Sequence, residues 1–374
     1  MPVRESASTR ITFASTPTPV RRLRTWGAVL AAAAVLPAGL LTGCAKSSDD
    51  AMSSIVRTTT NIAGAGVVGL ERDTRQACGL PTSADPAPGA TRSVVSAAGT
   101  SEVPADPQRI VVASTAALDA ACALGLWERV VGAATISGPD GKGQTQPSYL
   151  GTGITTIPAI GAVGALDPAK IAALKPDVII GAATDKASAD ALRAIAPTVL
   201  VGDENGWQAQ FSSIAEALGR RTAAVSVLQD YRTDAREAGA SVASNISQAS
   251  VLRFDANDIQ IQGGNSFAGL VLGDAGVQRP QPQRGDSFTV TSSLGTEAER
   301  DKLEGDLVYL MFNGADGRKF GESVMRGNDW KTIGAVSDKR VFAVEDTIWH
   351  GSGVTAARAL LDDMRKSLNG YVTD

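Results

Sequence analysis

Apolar and polar positions divide this chain into regimes with different periods. Residues 26–41, "WGAVLAAAAVLPAGLL", are an almost unbroken apolar run behind Arg21, Arg22 and Arg24, and the polar "AKSSDD" follows directly after Thr42-Gly43-Cys44. A basic segment, a short greasy segment and small residues at its end read as an export signal. The run is shorter than the roughly 20 residues a membrane-spanning helix needs. Residues 44–106 are rich in Ser, Ala, Thr, Pro and Gly with little apolar period, a composition that predicts an extended tether.

Regular alternation begins after that. In 107–203 the strand-like "RIVVAS", "RVVGAA", "DVIIGAA" and "TVLVG" are separated by the helix-like "AALDAACALGLW", "DPAKIAALKP" and "ADALRAIA". Asp167 ahead of Pro168 is a helix start, since proline's fixed φ suits the first helical position and an aspartate side chain caps it. Strands alternating with helices imply a parallel sheet covered on both faces. In 204–245 the period becomes helical. Trp207, Phe211, Ile214, Leu218, Val225, Leu228, Ala235 and Val242 recur at three, four or seven, with a main helix over about 222–244. Such a helix is roughly 33 Å long at 1.5 Å per residue. Alternation resumes in 246–374 with "ASVLRFDANDIQIQGG", "FAGLVLGDAG", "DLVYLMF", "RVFAVED" and the helical "VTAARALLDDMRKSLN". The expected fold is therefore α/β, with two doubly wound lobes joined by one long linking helix.

Composition narrows the function. Without residues 1–43, which carry five Arg and one Glu, 30 basic residues face 38 acidic ones, a net charge of −8. That lacks the basic footprint of a nucleic-acid partner. "GAGVVG" at 64–69 matches the dinucleotide fingerprint in spacing alone, because no strand precedes it and no helix follows, and a structural turn accounts for it better. Cys78 and Cys122 remain after export. They form either a disulfide or, since Cys122 lies in the apolar "LDAACALGL", a buried free thiol.

Clefts between doubly wound lobes are lined by loops at the carboxyl ends of strands. That rule selects Ser114, the long loop around Tyr149, Thr184, Asn265, Ser266, Asn313 and Trp349-His350, each against the alternative of an ordinary solvated loop residue. Arg284, in "RPQPQRGDSF", is the candidate cation for an anionic ligand. His350 is the chain's single histidine, no Gly-x-Ser-x-Gly elbow or metal-ligand spacing is present, and an enzyme is not expected.

The order of "LDPAKIAALKPDVIIGAA", "IAEALGRRTAAVSVLQDYR", "GGNSFAGLVLGDAGV" and "WKTIGAVSDKRVFAVEDTIW" resembles the helix-hinged substrate-binding proteins for iron complexes and vitamin B12, in particular the FecB-type lipoproteins. The "TTTNIAGAGVVG" and "QPSYLG" segments are similar to that type as well, and the likeness extends over about 55–370. "LTGC" resembles a lipobox, which implies that Cys44 is acylated and holds the chain on the outer face of the cytoplasmic membrane. The resemblance further implies a monomeric receptor with no intrinsic cofactor. Its ligand is a ferric siderophore, ferric citrate or haem, delivered to an ABC permease or another envelope acceptor. For haem it implies Tyr149 as the iron ligand, with His350 as a second axial ligand and Trp349 stacked on the ring. One departure stands out. The acids expected to dock a permease are missing: Ala169 occupies the first position, and "SLG" at 293–295 precedes Glu297 at the second. An envelope scaffold that keeps the fold without transport is therefore the alternative reading.

Overall fold

The computed structural model describes residues 60–138, 142–291 and 294–368. The export signal and Cys44 lie outside the described residues. The chain begins with strands β1 (Asn61–Ile62), β2 (Ala65–Val67), β3 (Thr91–Ser96) and β4 (Gly99–Pro104). The first lobe comprises β5 (Ile110–Val112), α1 (Thr115–Ala123), β6 (Val130–Ser137), β7 (Gln144–Thr145), β8 (Ala159–Ala162), β9 (Ala165–Leu166), α2 (Pro168–Ala173), β10 (Val178–Ala182), α3 (Ala189–Arg193) and β11 (Thr198–Val201). Helices α4 (Trp207–Ala217) and α5 (Arg221–Ser241) follow. The second lobe comprises β12 (Ala249–Phe254), β13 (Asp258–Ile261), α6 (Phe267–Asp274), β14 (Phe288–Thr291), α7 (Glu297–Asp301), β15 (Leu307–Phe312), α8 (Gly314–Arg326), α9 (Gly334–Ser337), β16 (Val341–Ala343), α10 (Asp346–Trp349) and α11 (Val354–Leu368).

Two sheets carry the lobes. The first runs β11-β10-β5-β6-β8-β9, parallel up to β8, with β7 paired to β6; the second runs β1-β2-β16-β15-β12-β13-β14, parallel from β2 to β12. The helix starts follow their sequence cues. Asp167 accepts from the Ala169 and Lys170 amides at 3.0 and 3.2 Å, with Pro168 at the first position. The long helix α5 ends three residues before the sequence reading placed it.

The tether expected over 44–106 is not what residues 60–106 form. β2 pairs in parallel with β16, so the segment extends the second lobe's sheet. Ala63 (φ 49°) and Gly64 (φ 99°) make the tight turn of the β1–β2 hairpin, the structural role expected of "GAGVVG". Arg72 donates to Asp363 on α11 at 2.7 Å, Cys78 is disulfide-bonded to Cys122 of α1, and Arg92 donates to the Ala217 carbonyl at 2.9 Å. A polar, Pro- and Gly-rich composition lowers local propensity, but sheet pairing, ion pairs and one crosslink supply the order instead. Helix α8 also went unread, because "GADGRKFGESVMR" is glycine-broken and charged. Its glycines serve close packing: a Cβ at Gly317 would lie 2.2 Å from the Phe254 carbonyl oxygen.

One hydrophobic cluster crosses both lobes. It joins Ile110, Val112, Leu118 and Ile180 of the first lobe to Phe211 and Leu228 of the linking helices. From there it reaches Val251, Tyr309, Trp349 and Leu360 of the second. The lobes therefore share a core, and their separation would expose it to water.

Candidate functional site

The carboxyl ends of β12, β15 and β16 bring together a charged array that sequence reading found only in part. On β12, Leu252 and Phe254 pack into a second apolar cluster with Ile259, Leu310 and Trp330, so Arg253 faces the other way, on the side of Val251. Its guanidinium binds both carboxylate oxygens of Asp346, at the start of α10, at 2.6 and 2.9 Å. Asp255 lies 3.5 Å away. Burial pulls the Arg253 pKa down, and the paired bonds to Asp346 outweigh it and hold the pKa above the ordinary value. Asn313, exposed after β15, donates to Asp255 at 2.7 Å. His350, exposed at the end of α10, joins the same group. Partial desolvation and the Arg253 charge hold its pKa below the usual histidine value against Asp346 and Asp255. At pH 7 the ring is neutral and able to donate one hydrogen bond and accept another. A bridge to the first lobe stands beside the array, where Ser148 donates to Glu345 at 2.6 Å.

A second group forms where the 280–287 loop packs on the start of α6. The Gly264 amide donates to Gln283 O at 2.8 Å, and Asn265 donates to Asp286 at 2.8 Å. Arg284 is exposed; its Nε is spent on the Arg279 carbonyl at 3.2 Å, and it makes no ion pair among the described residues. Ser266 is a cap: it accepts from the Gly269 amide at 3.1 Å and donates to Gly263 O. Ser114 is likewise the cap of α1, buried and accepting from Ala117 N at 3.2 Å. Thr184 is exposed on the turn after β10 and makes no side-chain hydrogen bond among the described residues.

Two aromatic expectations are corrected by burial. Trp349 is fully buried, donates from Nε1 to Asp363 at 3.0 Å and packs 4.2 Å from the Tyr309 ring centroid. It is a core residue, and no face is left for a ligand to stack on. Tyr149 is 2% exposed and its hydroxyl is hydrogen-bonded to Asp119. Burial, and then the Asp119 charge, push its pKa well above that of a free phenol, so the phenolate that iron ligation requires is disfavoured. Tyr149 and His350 thus do not present a pair of iron ligands in this conformation. The long, Gly-rich loop hid this outcome, because the signal that decides it, Asp119 inside an apolar helix, lies on another element. Arg253 was the missed site residue. Its signal was a charge inside the apolar "ASVLRF".

A family model described as periplasmic binding protein matches residues 110–347. The chain belongs to the periplasmic binding protein family. Among members of this family, the Bacillus subtilis (strain 168) protein named "Probable siderophore-binding lipoprotein YfiY" is 30% identical over 288 residues, 73% of this chain and 86% of the relative. The "Putative ABC transporter substrate-binding lipoprotein YhfQ" of the same strain is 27% identical over 297 residues, 72% and 86%. The fold is also that of Staphylococcus aureus SirA complexed with staphyloferrin B, with a TM-score of 0.62 at 23% identity, covering 75% of this chain and 99% of that one. The two-lobed architecture expected from the alternation of strands and helices is thus a periplasmic-binding-protein fold.

Proposed function

We propose that this periplasmic binding protein is a lipid-anchored receptor for a ferric chelate, and that it presents the chelate for uptake across the cytoplasmic membrane. The observation that carries the reading is the array of Arg253, Asn313 and His350 at the interlobe ends of the second sheet, in a chain 30% identical to a protein named as siderophore-binding. The exposed His350 imidazole and Arg284 guanidinium suit the anionic oxygens of a chelate, while Arg253 and Asn313, bound to Asp346 and Asp255, join them by exchanging those carboxylates for chelate oxygens. A chelate that saturates iron with its own oxygens needs no protein ligand to the metal. That suits a site whose tyrosine is sealed against Asp119, and it ranks ferric siderophore or ferric citrate ahead of haem. The anchor is Cys44, at the outer face of the cytoplasmic membrane.

Titration calorimetry of the chain with ferric citrate, a ferric tris-catecholate, a ferric tris-hydroxamate and haem tests this. Saturable binding of at least one non-haem chelate is expected, weakened at least tenfold in Arg253→Gln, about 1.4 kcal/mol. Haem binding with a Soret shift lost in Tyr149→Phe would restore tyrosine ligation. Binding of none would leave the scaffold reading, to which the absence of a Glu at Ala169 already points.

A further inference from the structure

Beside the charged array lies a cavity of about 450 Å³ that no part of the proposed contacts uses. Its walls are Ile62 and Val67 of the amino-terminal hairpin, Leu70 after it, Phe312 at the end of β15, and Ala343 and Val344 at the end of β16. Apart from the Thr74 hydroxyl, the polar side chains on its rim are already committed. Arg72 is bound to Asp363 and to Ala359 O, the Tyr149 hydroxyl to Asp119, and Ser148 to Glu345. What remains to recognise an occupant, besides the Thr74 hydroxyl, is apolar area, including Leu70 at 66% exposure. The cavity is continuous along the chain with the array: Phe312 precedes Asn313, and Glu345 precedes Asp346. An occupant whose polar head sits at the exposed His350, and takes over Arg253 and Asn313 from Asp346 and Asp255, can therefore place an apolar extension here. The amino-terminal hairpin supplies one whole wall, which gives residues 60–70 a role beyond extending the sheet.

We propose that this cavity is a subsite for the apolar arm, alkyl or aryl, of an amphiphilic ferric chelate. The inference rests on the chelate-receptor reading above and adds that the receptor selects among chelates by their hydrophobic arm. A buried methylene is worth about 0.8 kcal/mol, or close to fourfold in affinity. A four-carbon arm that enters the cavity therefore tightens binding by at least tenfold after losses to ordering.

The test is calorimetry with ferric complexes of one linear tris-hydroxamate carrying no arm, a butyl arm or an octyl arm. Wild type is expected to bind the butyl complex at least tenfold more tightly than the armless one. Leu70→Asp, at an exposed position, and Ile62→Asn are expected to lose most of that gain while binding the armless complex as wild type does. Circular dichroism and thermal melts confirm that both variants are folded, and Leu70→Ile should retain the gain. Equal affinities of wild type for all three complexes would overturn the subsite alone. So would a gain that survives in Leu70→Asp and Ile62→Asn. Failure of every complex to bind wild type would overturn the chelate reading, and the subsite with it.

Discussion

Asp119→Asn separates a structural role of the Tyr149 loop from a ligand role, and it does so through pH. Asp119 is fully buried on α1. It accepts from the Thr355 and Ala356 amides at 3.0 and 2.9 Å, where α11 begins, and from the Tyr149 hydroxyl. Burial raises its pKa from 3.8 to about 6, against those donors, which lower it. An acid with a raised folded pKa holds its proton in the folded chain over a range where the unfolded chain has released it. Stability from this group is therefore greatest at low pH and falls as pH rises from about 4 to about 6, then stays level. The full change is about 3 kcal/mol, and about 2.5 kcal/mol of it falls between pH 4 and pH 7.5. Asparagine keeps the size and an oxygen for the cap but does not titrate, and other titrating groups cancel in the difference between the two proteins. The stability of Asp119→Asn relative to wild type should rise by about 2.5 kcal/mol over that interval, read from urea unfolding midpoints and slopes at four pH values. Parallel stability profiles would refute the burial argument, and with it the structural assignment of Tyr149.

Two further outcomes rest on the geometry and one on the sequence of the export signal. Cys78→Ser with Cys122→Ser should lower unfolding free energy by about 4 kcal/mol on the loop-entropy model, since the bridge closes a separation of 44 residues; denaturation that matches wild type would show the segment around Cys78 to be held without it. Cys44→Ala should release the chain from the membrane fraction or leave an uncleaved precursor, and an intact amino terminus without acyl mass in the native protein would disprove the anchor. Small-angle scattering with and without a bound chelate should give radii of gyration within about 1 Å, because one 21-residue helix and a continuous core join the lobes; a change of several ångströms would contradict that stiffness.

The polar-apolar pattern alone determined the α/β class, the two lobes and the long helix, because strand and helix periods are local and the buried runs were long. It also placed the cap at Asp167, where one side chain answers one helix end; Ser266, read as a cleft residue, proved to be a cap only in the structure. The loops at strand ends were legible as positions, and Asn313 and His350 do stand in the charged array. Which loop side chains face outward was not legible, because that depends on partners far along the chain. Tyr149 is sealed by Asp119, 30 residues before it, and Trp349 by Asp363 on the last helix. Arg253 joined the site only through Asp346, which lies on another element 93 positions away. Residues 60–106 carry the largest difference between sequence and structure. Their composition lacks the apolar period that would mark strands, and edge pairing to β16, the Arg72–Asp363 ion pair and the Cys78–Cys122 bridge order them instead. Local periodicity sets which elements form. Burial and long-range pairing decide which side chains remain free for a ligand, because the cost of an unpartnered buried polar group is settled only when the elements meet.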